Sequence, residues 1–316
     1  MSSAVAVLTG GVGGAKLALG LYSLMPVDSL SLIVNTADDF DYLGLRICPD
    51  LDTALYTLSG RANPEQGWGR ANESWGFMQA LAELDGQSWF RLGDKDLALH
   101  VLRTQQLATG KCLSAVMWEF ARTLGVQAAI YPMSDDIIAT IIKSDEGELG
   151  FQDYFVRRRC EPRVHALSFR GAERAQLSNG VRTVLASQQL AAIVIAPSNP
   201  YLSIDPILAV PGIRDALVAA RAPVIAVTPI IAGKAVKGPT AKIMTELGLE
   251  PSPLGVARHY DGLIDGFVID SRDDALTAQL SIPVRVTDTL MQNMQDKQRV
   301  ARVVLDFAQQ LAGGLR

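Results

Sequence analysis

Short apolar runs and intervening stretches of helical spacing predict a sheet whose strands alternate with helices. Runs of consecutive apolar residues, typical of buried strands, lie at 5–8, 30–34, 128–131, 191–196, 224–227 and 265–270, and we expect the last of them to end the sheet. Apolar residues three or four positions apart predict helices at 16–24, around 213–221 and at 297–311. This alternation is typical of parallel strands covered on both faces. The predicted fold class is therefore α/β, a Rossmann-like, mostly parallel sheet flanked by helices.

The middle of the chain has a different pattern. Helical spacing dominates at 75–84, 96–106 and 113–124, with few strand signals between these stretches. We interpret residues 1–316 as a single α/β domain in which about residues 60–130 form a mainly helical insertion. The insertion is expected over the carboxyl edge of the sheet, where open α/β sheets bind ligands. Residues 147–163 are charged and are expected to form an extended excursion.

A glycine-rich turn lies between the first predicted strand and the first predicted helix. Gly10, Gly11, Gly13 and Gly14 would present bare backbone N–H groups at the start of that helix, and such groups bind phosphate. The spacing is neither a clean G-x-G-x-x-G nor a Walker A motif, which requires Gly-Lys-Ser/Thr at its end. A tight turn without a ligand is the alternative. Lys16 either adds positive charge to this site or is a solvated helix residue.

Four aspartates follow the second predicted strand within fifteen residues. Asp38 and Asp39 come first, and Asp50 and Asp52 come just after Pro49. Carboxylates this close repel one another unless a cation or hydrogen bonds intervene, and magnesium prefers one or two carboxylates together with phosphate oxygens and water. The alternative is that the later pair only begins a helix, a position where acids are favoured. We predict that at least one of these acids contacts metal or substrate.

Two late strands end in polar segments that contain proline. Ser198 and Asn199 follow the strand at 191–196, and Thr228 follows the strand at 224–227. We expect Pro200 to fix a turn and to disfavour an immediate helix. Because adjacent parallel strands end at one edge, these side chains are candidates for a shared crevice that binds a base, ribose or phosphate. Ordinary loops are the alternative.

Composition narrows the class of protein. The chain has 316 residues, of which 48% are hydrophobic, and a formal net charge of −4, so a large core is expected and nucleic-acid binding is not. No signal peptide is predicted at the amino terminus, and the apolar stretches are too short to span a bilayer, so no membrane association is expected. The three cysteines have no C-x-x-C spacing, which favours a reduced, cytoplasmic compartment.

Taken in order, the motifs resemble those of the 2-phospho-L-lactate transferase family, which acts in the biosynthesis of coenzyme F-420. The resemblance extends from about residue 5 to residue 270, nearly the whole chain. Its segments are Gly-Gly-Val-Gly-Gly-Ala-Lys from Gly10, Asn-Thr-Ala-Asp-Asp from Asn35, Cys-Pro-Asp-Leu-Asp-Thr from Cys48, Leu-Gly-Asp-Lys-Asp from Leu92, Pro-Met-Ser-Asp-Asp from Pro132, Pro-Ser-Asn-Pro from Pro197 and Thr-Pro-Ile-Ile from Thr228.

The resemblance implies a reaction. A guanosine diphosphate derivative of a three-carbon acid is the donor, and the terminal ribityl hydroxyl of the deazaflavin Fo is the acceptor. The group moved is phospholactyl, phosphoenolpyruvyl or phosphoglyceryl, GMP leaves, Mg²⁺ is required, and the enzyme is a homodimer. The sequence does not distinguish among the three acids. The alternatives from the residues alone are a Rossmann-type nucleotide-dependent oxidoreductase and a non-catalytic nucleotide-binding regulator.

The resemblance also assigns roles to residues. The metal and catalytic ligands are Asp39 and Asp50, with Asp38 as the alternative metal ligand. The glycine turn with Lys16 would hold the donor phosphates, and the Ser198, Asn199 and Thr228 segments the guanosine side. The acceptor-binding residues are then Asp50, Arg91, Asn35 and Thr36. We expect the helical insertion to form part of the acceptor pocket, in which Trp68, Trp75, Trp89 and Phe90 could build a slot for the flat ring system.

Overall fold

The computed structural model describes residues 4–236 and 238–314. Numbered in chain order, the strands described are β1 Ala4–Thr9, β2 Leu30–Val34, β3 Phe40–Tyr42, β4 Leu45–Ile47, β5 Ala129–Pro132, β6 Ala139–Ser144, β7 Gly147–Gly150, β8 Val164–Arg170, β9 Leu190–Ile195, β10 Val224–Val227, β11 Ile230–Ile231, β12 Lys234–Ala235, β13 Gly266–Asp270 and β14 Val284–Thr287. The α-helices are α1 Gly11–Leu24, α2 Pro49–Leu58, α3 Gly76–Glu83, α4 Asp94–Ala108, α5 Leu113–Thr123, α6 Asn179–Leu185, α7 Asp205–Leu208, α8 Ile213–Val218, α9 Thr240–Glu246, α10 Pro253–His259 and α11 Met294–Gly314.

The main sheet has seven strands in the order β14-β13-β10-β9-β1-β2-β5, and every neighbouring pair is parallel. From β1 the chain moves outward through β2 to β5, then returns to β9 on the other side of β1. The order of the strands therefore reverses between β1 and β9, and the crevice at their carboxyl ends is the topological switch point where such sheets bind ligands. The predicted α/β fold class is confirmed.

Alternate residues of the central strands enter two separate cores. In β1, Val5 and Val7 face a core shared with α1, α2, α5 and α11, whereas Ala6 and Leu8 face a core that includes residues of α6 to α10. Burying each such Val or Leu contributes roughly 1.5–3 kcal/mol, so both faces are firmly held. Both α2 and α5 contribute to the core that contains Val5 and Val7. Helices from the middle of the chain therefore cover one face of the sheet.

Three sequence expectations about the elements are wrong. Residues 265–270 do not end the sheet, because β14 pairs outside β13 as a half-exposed edge strand with no continuous apolar run. Residues 147–163 are not simply extended. They contain β7, which pairs with β6 in a three-stranded antiparallel sheet, and a short π-helical segment at Asp153–Arg157.

The third error concerns Pro200. A helical segment begins at Pro200 itself and runs to Ile204, capped by the side chain of Asn199. Proline restricts the residue before it but is well accommodated in the first turn of a helix, where its missing N–H has no helical partner to lose. The strand therefore leads through residues 196–199, the last of which is the capping residue, into a helical turn.

Candidate active site at the switch point of the sheet

The glycine turn places a helix start at the carboxyl end of β1. Gly10 is the N-cap of α1, and Gly11, with φ of 64°, has the left-handed backbone that favours glycine. The N–H of Gly11 donates to Asp50 Oδ1 at 2.7 Å. Helix α1 thus points its electropositive end toward the Asp50 carboxylate and the surrounding crevice.

Close packing accounts for two of the other glycines. A Cβ on Gly13 would lie 2.4 Å from the carbonyl oxygen of Pro197, and one on Gly14 would lie 2.0 Å from Thr9 Oγ1. Both distances are far below van der Waals contact. These glycines allow the first turn of α1 to lie directly against the ends of β1 and β9, so the motif is needed for the shape of the crevice whether or not it also binds phosphate.

The serine and threonine predicted to face the donor are engaged in holding their loops. Ser198 Oγ accepts from the N–H of Gly10 at 3.1 Å and donates to the Gly10 carbonyl at 2.7 Å. Asn199 Oδ1 accepts from two N–H groups of the following helical segment. Thr228 Oγ1 accepts from the N–H of Ile230 at 3.1 Å. The structure brings Ser198 to the glycine turn, whereas Thr228 closes its own turn after β10.

Lys16 lies on α1, and its Nζ donates to the carbonyl of Met291 at 2.8 Å. Met291 belongs to the segment between β14 and α11. This bond ties the first helix to the segment that leads into the last one. It also gives Lys16 a structural partner in addition to the predicted role at phosphate.

The carboxylate of Asp50 is oriented from two sides. Asn35, at the end of β2, is fully buried and donates from Nδ2 to Asp50 Oδ2 at 3.1 Å. Its Oδ1 accepts from the N–H of Ala37 at 2.9 Å, which fixes the amide. Burial raises the pKa of Asp50 to about 6, although the hydrogen bonds from Asn35 and Gly11 oppose that shift.

Asp39 is the least satisfied acid of the site. Its side chain is only 1% exposed, and neither carboxylate oxygen has a hydrogen-bond partner within residues 4–236 and 238–314. Arg46 Nη2, 3.8 Å from Oδ2, is the nearby cation. Burial raises the pKa of Asp39 to about 7, and Arg46 opposes the shift. The buried hydroxyls of Thr9 and Thr36 likewise lack partners in the part of the chain that the structure describes.

Asp38 lies on the Asp50 side of this group. Burial raises its pKa, and the nearby Asp50 carboxylate raises it further. The hydroxyl of Thr140 donates to Asp38 Oδ1 at 3.4 Å. Three buried carboxylates with few donors at the electropositive end of a helix favour a bound cation, and their oxygen atoms are the ligand type that magnesium prefers.

A second set of potential ligands lies further along α2. Within the described ranges, one ligand atom each from Asp52, Asp96 and His100 lies within 4.8 Å of the others, so these residues could hold a metal ion. However, Arg103 already donates to both oxygens of Asp52, and the hydroxyl of Tyr56 donates to Asp96 Oδ1. Asp52 and Asp96 are therefore partnered without a metal, whereas the buried His100 Nε2, 3.3 Å from Asp96 Oδ2, makes no hydrogen bond within the described residues.

From the sequence, Asp52, Asp96 and His100 were not brought together as a set. The available signal was the spacing of Asp96, His100 and Arg103, which places all three on one face of α4. Polar residues that share one face of a helix in an otherwise apolar region indicate that this face contacts a buried polar residue elsewhere in the chain. The partner, Asp52, is 51 positions away from Arg103 along the chain.

The predicted aromatic slot is divided into two regions. A cavity of about 270 Å³ is lined by Trp68, Trp75, Arg91 and Asp96, among others. Arg91 Cζ lies 4.1 Å from the ring centroid of Trp75, in a cation–π contact. Trp89 and Phe90 instead pack against the aromatic rings of the β3–β4 hairpin, with centroids 4.8 to 6.1 Å apart.

These features define a doubly wound α/β protein whose site combines a helix N-terminus with three buried carboxylates, a combination suited to phosphoryl chemistry with a divalent cation. The family model "2-phospho-L-lactate transferase CofD" matches residues 5–305 of the chain. The chain belongs to this family, and the resemblance noted in the sequence is confirmed.

Individual relatives agree with this assignment. A phosphoenolpyruvate transferase of Streptomyces griseus is 38% identical and the match covers 97% of this chain and 99% of the relative. A 2-phospho-L-lactate transferase of Methanosarcina mazei is 36% identical, with 95% and 98% covered. A solved structure of a UPF0052 family member from Bacillus halodurans has a TM-score of 0.62 at 17% identity, over 96% of this chain and 99% of that one, and supports the fold.

The chain is accordingly a transferase of coenzyme F-420 biosynthesis, of the kind that moves phospholactyl or phosphoenolpyruvyl groups from a guanosine diphosphate donor to Fo. The Rossmann-type oxidoreductase and the non-catalytic regulator are set aside. No helix within the described residues is both long and apolar enough to cross a membrane.

Proposed function

We propose that the reaction takes place at the switch point, where Asp39 and Asp50 hold Mg²⁺ and Asp38 is the alternative ligand. The observation that carries this proposal is the Asp39 carboxylate, which is buried without any hydrogen-bond partner among the described residues. A buried carboxylate in this state is costly unless a cation reaches it. The helix start beside Asp50 supports placing the donor diphosphate there.

The fit of the residues to magnesium rests on their chemistry. Asp38, Asp39 and Asp50 offer hard oxygen ligands, and Arg46 lies at 3.8 Å from Asp39, with the charge of Arg103 further away. A bound Mg²⁺ would neutralise the charge of the diphosphate and the charge that develops on the departing GMP. Asn35 and the Gly11 N–H keep the Asp50 carboxylate in a fixed orientation toward that position.

The remaining residues position the two substrates. The N-terminal turn of α1 would orient the donor phosphates, and the Ser198, Asn199 and Thr228 segments would border the guanosine. We propose the cavity beside Trp75 and Arg91, within the helical insertion of about residues 60–130, as the site of the Fo ring system. Thr36, whose hydroxyl lacks a partner in the described residues, is placed to bind the ribityl hydroxyls together with Asn35. Because phosphoryl transfer depends mainly on positioning and charge stabilisation, no strong general base is required.

The test is direct transfer. Purified protein is incubated with Fo, Mg²⁺ and, in separate reactions, the lactyl, enolpyruvyl and glyceryl donors, and the products are weighed by mass spectrometry. We expect one donor to give a phosphodiester of Fo together with GMP. Relatives named for both lactate and phosphoenolpyruvate match this chain, so the identity of the acid is the outcome of the experiment. A lack of product with all three donors would refute the proposal.

We also propose a cytoplasmic homodimer, on the family resemblance and on the three cysteines, none of which forms a disulfide. Light scattering of the purified protein at micromolar concentration tests the oligomeric state. A mass of twice 34.0 kDa is expected, and a monomer over the whole concentration range would contradict it.

A further inference from the structure

One face of α4 carries polar residues that turn away from solvent. Asp96, His100, Arg103 and Thr104 lie at positions that share a helix face, and Arg103 is fully buried. A guanidinium is almost never buried unless it is paired and hydrogen-bonded. The partners of this face lie on α2, which carries Asp50, and on β4, whose Arg46 lies beside Asp39.

The first partner element is α2. Arg103 Nη1 donates to Asp52 Oδ2 at 3.1 Å, and Nη2 donates to Asp52 Oδ1. The ring of His100 lies between the two aspartates, with Nδ1 3.3 Å from Arg103 Nη1 and Nε2 3.3 Å from Asp96 Oδ2. Asp52 is two residues beyond Asp50 in the first turn of α2, so Arg103 fixes the turn that carries Asp50.

The second partner element is the strand β4. Arg103 Nη1 donates to the carbonyl of Arg46 at 3.3 Å, and Thr104 Oγ1 accepts from the N–H of Arg46 at 2.8 Å. The backbone of Arg46 is thus held on both sides by α4, while its side chain lies 3.8 Å from Asp39. The same helix face therefore sets the position of Arg46 relative to Asp39.

We infer that Arg103 is a positioning residue that holds α2 and β4 together, so that Asp50 and the Arg46–Asp39 pair keep the spacing that the metal and donor require. Through His100 and Asp96, which lines the cavity beside Trp75, the same contacts tie this spacing to the wall of the proposed acceptor site. The inference rests on the proposed function. It also implies that Asp52, Asp96 and His100 serve this framework and do not form a metal site.

The test uses conservative variants, because removing one partner of a buried ion pair can unfold a protein. Arg103→Lys keeps the charge but loses the two-pronged contact with Asp52. His100→Gln keeps a polar side chain of similar length but breaks the bridge between Asp52 and Asp96. Arg299→Lys is the matched control. Arg299 also binds a carboxylate, Asp296, at 2.7 Å and a backbone carbonyl at 3.1 Å, but it lies on α11 and is part-exposed.

Three quantities are measured for each variant: kcat with both KM values, the thermal midpoint, and Mg²⁺ binding to the metal-free protein by titration calorimetry. Loss of a residue that orients metal ligands typically costs about 10–100-fold in metal affinity or activity, and we expect that loss in both kcat and Mg²⁺ affinity for Arg103→Lys. His100→Gln is expected to lose about tenfold in kcat, at the lower end of that range. Arg299→Lys should keep wild-type kcat and Mg²⁺ affinity even if its thermal midpoint falls.

Two results would overturn the inference. If Arg103→Lys melts earlier yet keeps wild-type kcat and Mg²⁺ affinity, Arg103 only stabilises the fold. If His100→Gln lowers the number of Mg²⁺ ions bound per chain, the ion is held by the Asp52–Asp96–His100 set. Failure of the proposed function would be seen separately, as a wild-type protein that forms no transfer product. In that case the Mg²⁺ titrations of Arg103→Lys and wild-type protein would still test the positioning role of Arg103.

Discussion

Two groups of acids lie side by side on the carboxyl edge of the sheet, and they differ in what surrounds them. The first, Asp38, Asp39 and Asp50, has few donors, and Asp39 has none among the described residues. In the second, Asp52 binds Arg103 and Asp96 binds Tyr56. A single helix, α2, carries one member of each. Acids that are close in sequence thus have different roles. Asp38, Asp39 and Asp50 remain available to a cation, whereas Asp52 and Asp96 take part in the contacts that hold α2 and α4 together.

The largest effect on activity is expected from substitutions in the group of Asp38, Asp39 and Asp50. Asp50→Asn should lower kcat by at least about 10³-fold, or about 4 kcal/mol of transition-state stabilisation, because it removes a ligand and a charge at the proposed metal. Steady-state transfer assays at saturating Mg²⁺ measure the loss. Asp261→Asn, at an exposed position, is the control and should keep full activity. Comparing Asp38→Asn with Asp39→Asn decides which of the two is the second ligand, since only that variant should approach the loss of Asp50→Asn.

Substitutions in the second group, Asp52 and Asp96, should change the stability of the fold. Asp52→Asn leaves the buried Arg103 guanidinium without its counter-charge, and we expect a loss of about 3 kcal/mol in the free energy of unfolding. Asp39→Asn should instead raise the free energy of unfolding of the metal-free protein, because it removes a buried charge that accepts no hydrogen bond within the described residues and whose Arg46 partner is 3.8 Å away. Urea unfolding in the presence of a chelator measures both. Equal destabilisation by the two substitutions would show that the two groups do not differ as described.

The pH dependence of stability follows from the raised pKa of Asp39, about 7, against its usual value near 4. A raised carboxyl pKa contributes stability that is full below the unfolded pKa and is lost as the pH rises through the folded pKa. Relative to Asp39→Asn, metal-free wild-type protein should therefore lose about 2 kcal/mol between pH 5 and pH 8. Urea titrations of both proteins at the two pH values test this, and Mg²⁺ should restore the most stability at pH 8. A difference that is constant with pH would contradict it.

The smallest effect is expected in the cavity beside the second group. Trp75→Leu removes the ring under Arg91, and such a stacking contact is worth about 0.5–2 kcal/mol. The KM for Fo should therefore rise by about tenfold, while the KM for the donor stays unchanged. Trp118→Leu is the control, because Trp118 also lies under an arginine, Arg122, but on α5 and more than half exposed. A rise in the donor KM instead would place the donor, and not Fo, in this cavity.

The sequence predicts the main sheet well and brings the candidate residues to one edge of it, because both depend on local patterns. Apolar runs at 30–34 and 224–227 coincide with β2 and β10, and the glycine turn and Asn35 both follow strands that end at the switch point. Parallel strands need long continuous apolar runs, so their signal is strong. The acids Asp38 and Asp39 could be proposed for the same reason, since they follow the predicted strand at 30–34, and Asp50 could be proposed because Pro49 marks a helix start.

The partners of individual side chains could not be predicted in the same way. Whether Asp50 or Asp52 binds a cationic side chain depends on Arg103, which lies on α4, 51 positions beyond Asp52 in the sequence. The edge strand β14 lacks an apolar run because one of its sides has no neighbour, and the division of the aromatic residues depends on the β3–β4 hairpin, which has only three residues per strand. Each of these is decided by tertiary packing and leaves little trace in local spacing.

The bonds of Ser198 have a practical consequence for engineering. This hydroxyl binds both the N–H and the carbonyl of Gly10, 188 positions away, and so joins the two halves of the sheet at the crevice, where Gly13 and Gly14 leave no room for a Cβ. A mutant library aimed at new substrates should keep these four positions constant, vary the β11–β12 hairpin for the donor, and vary residues 63–75, which line the proposed Fo cavity, for the acceptor. Diversity in those segments can alter selectivity without separating the halves of the protein.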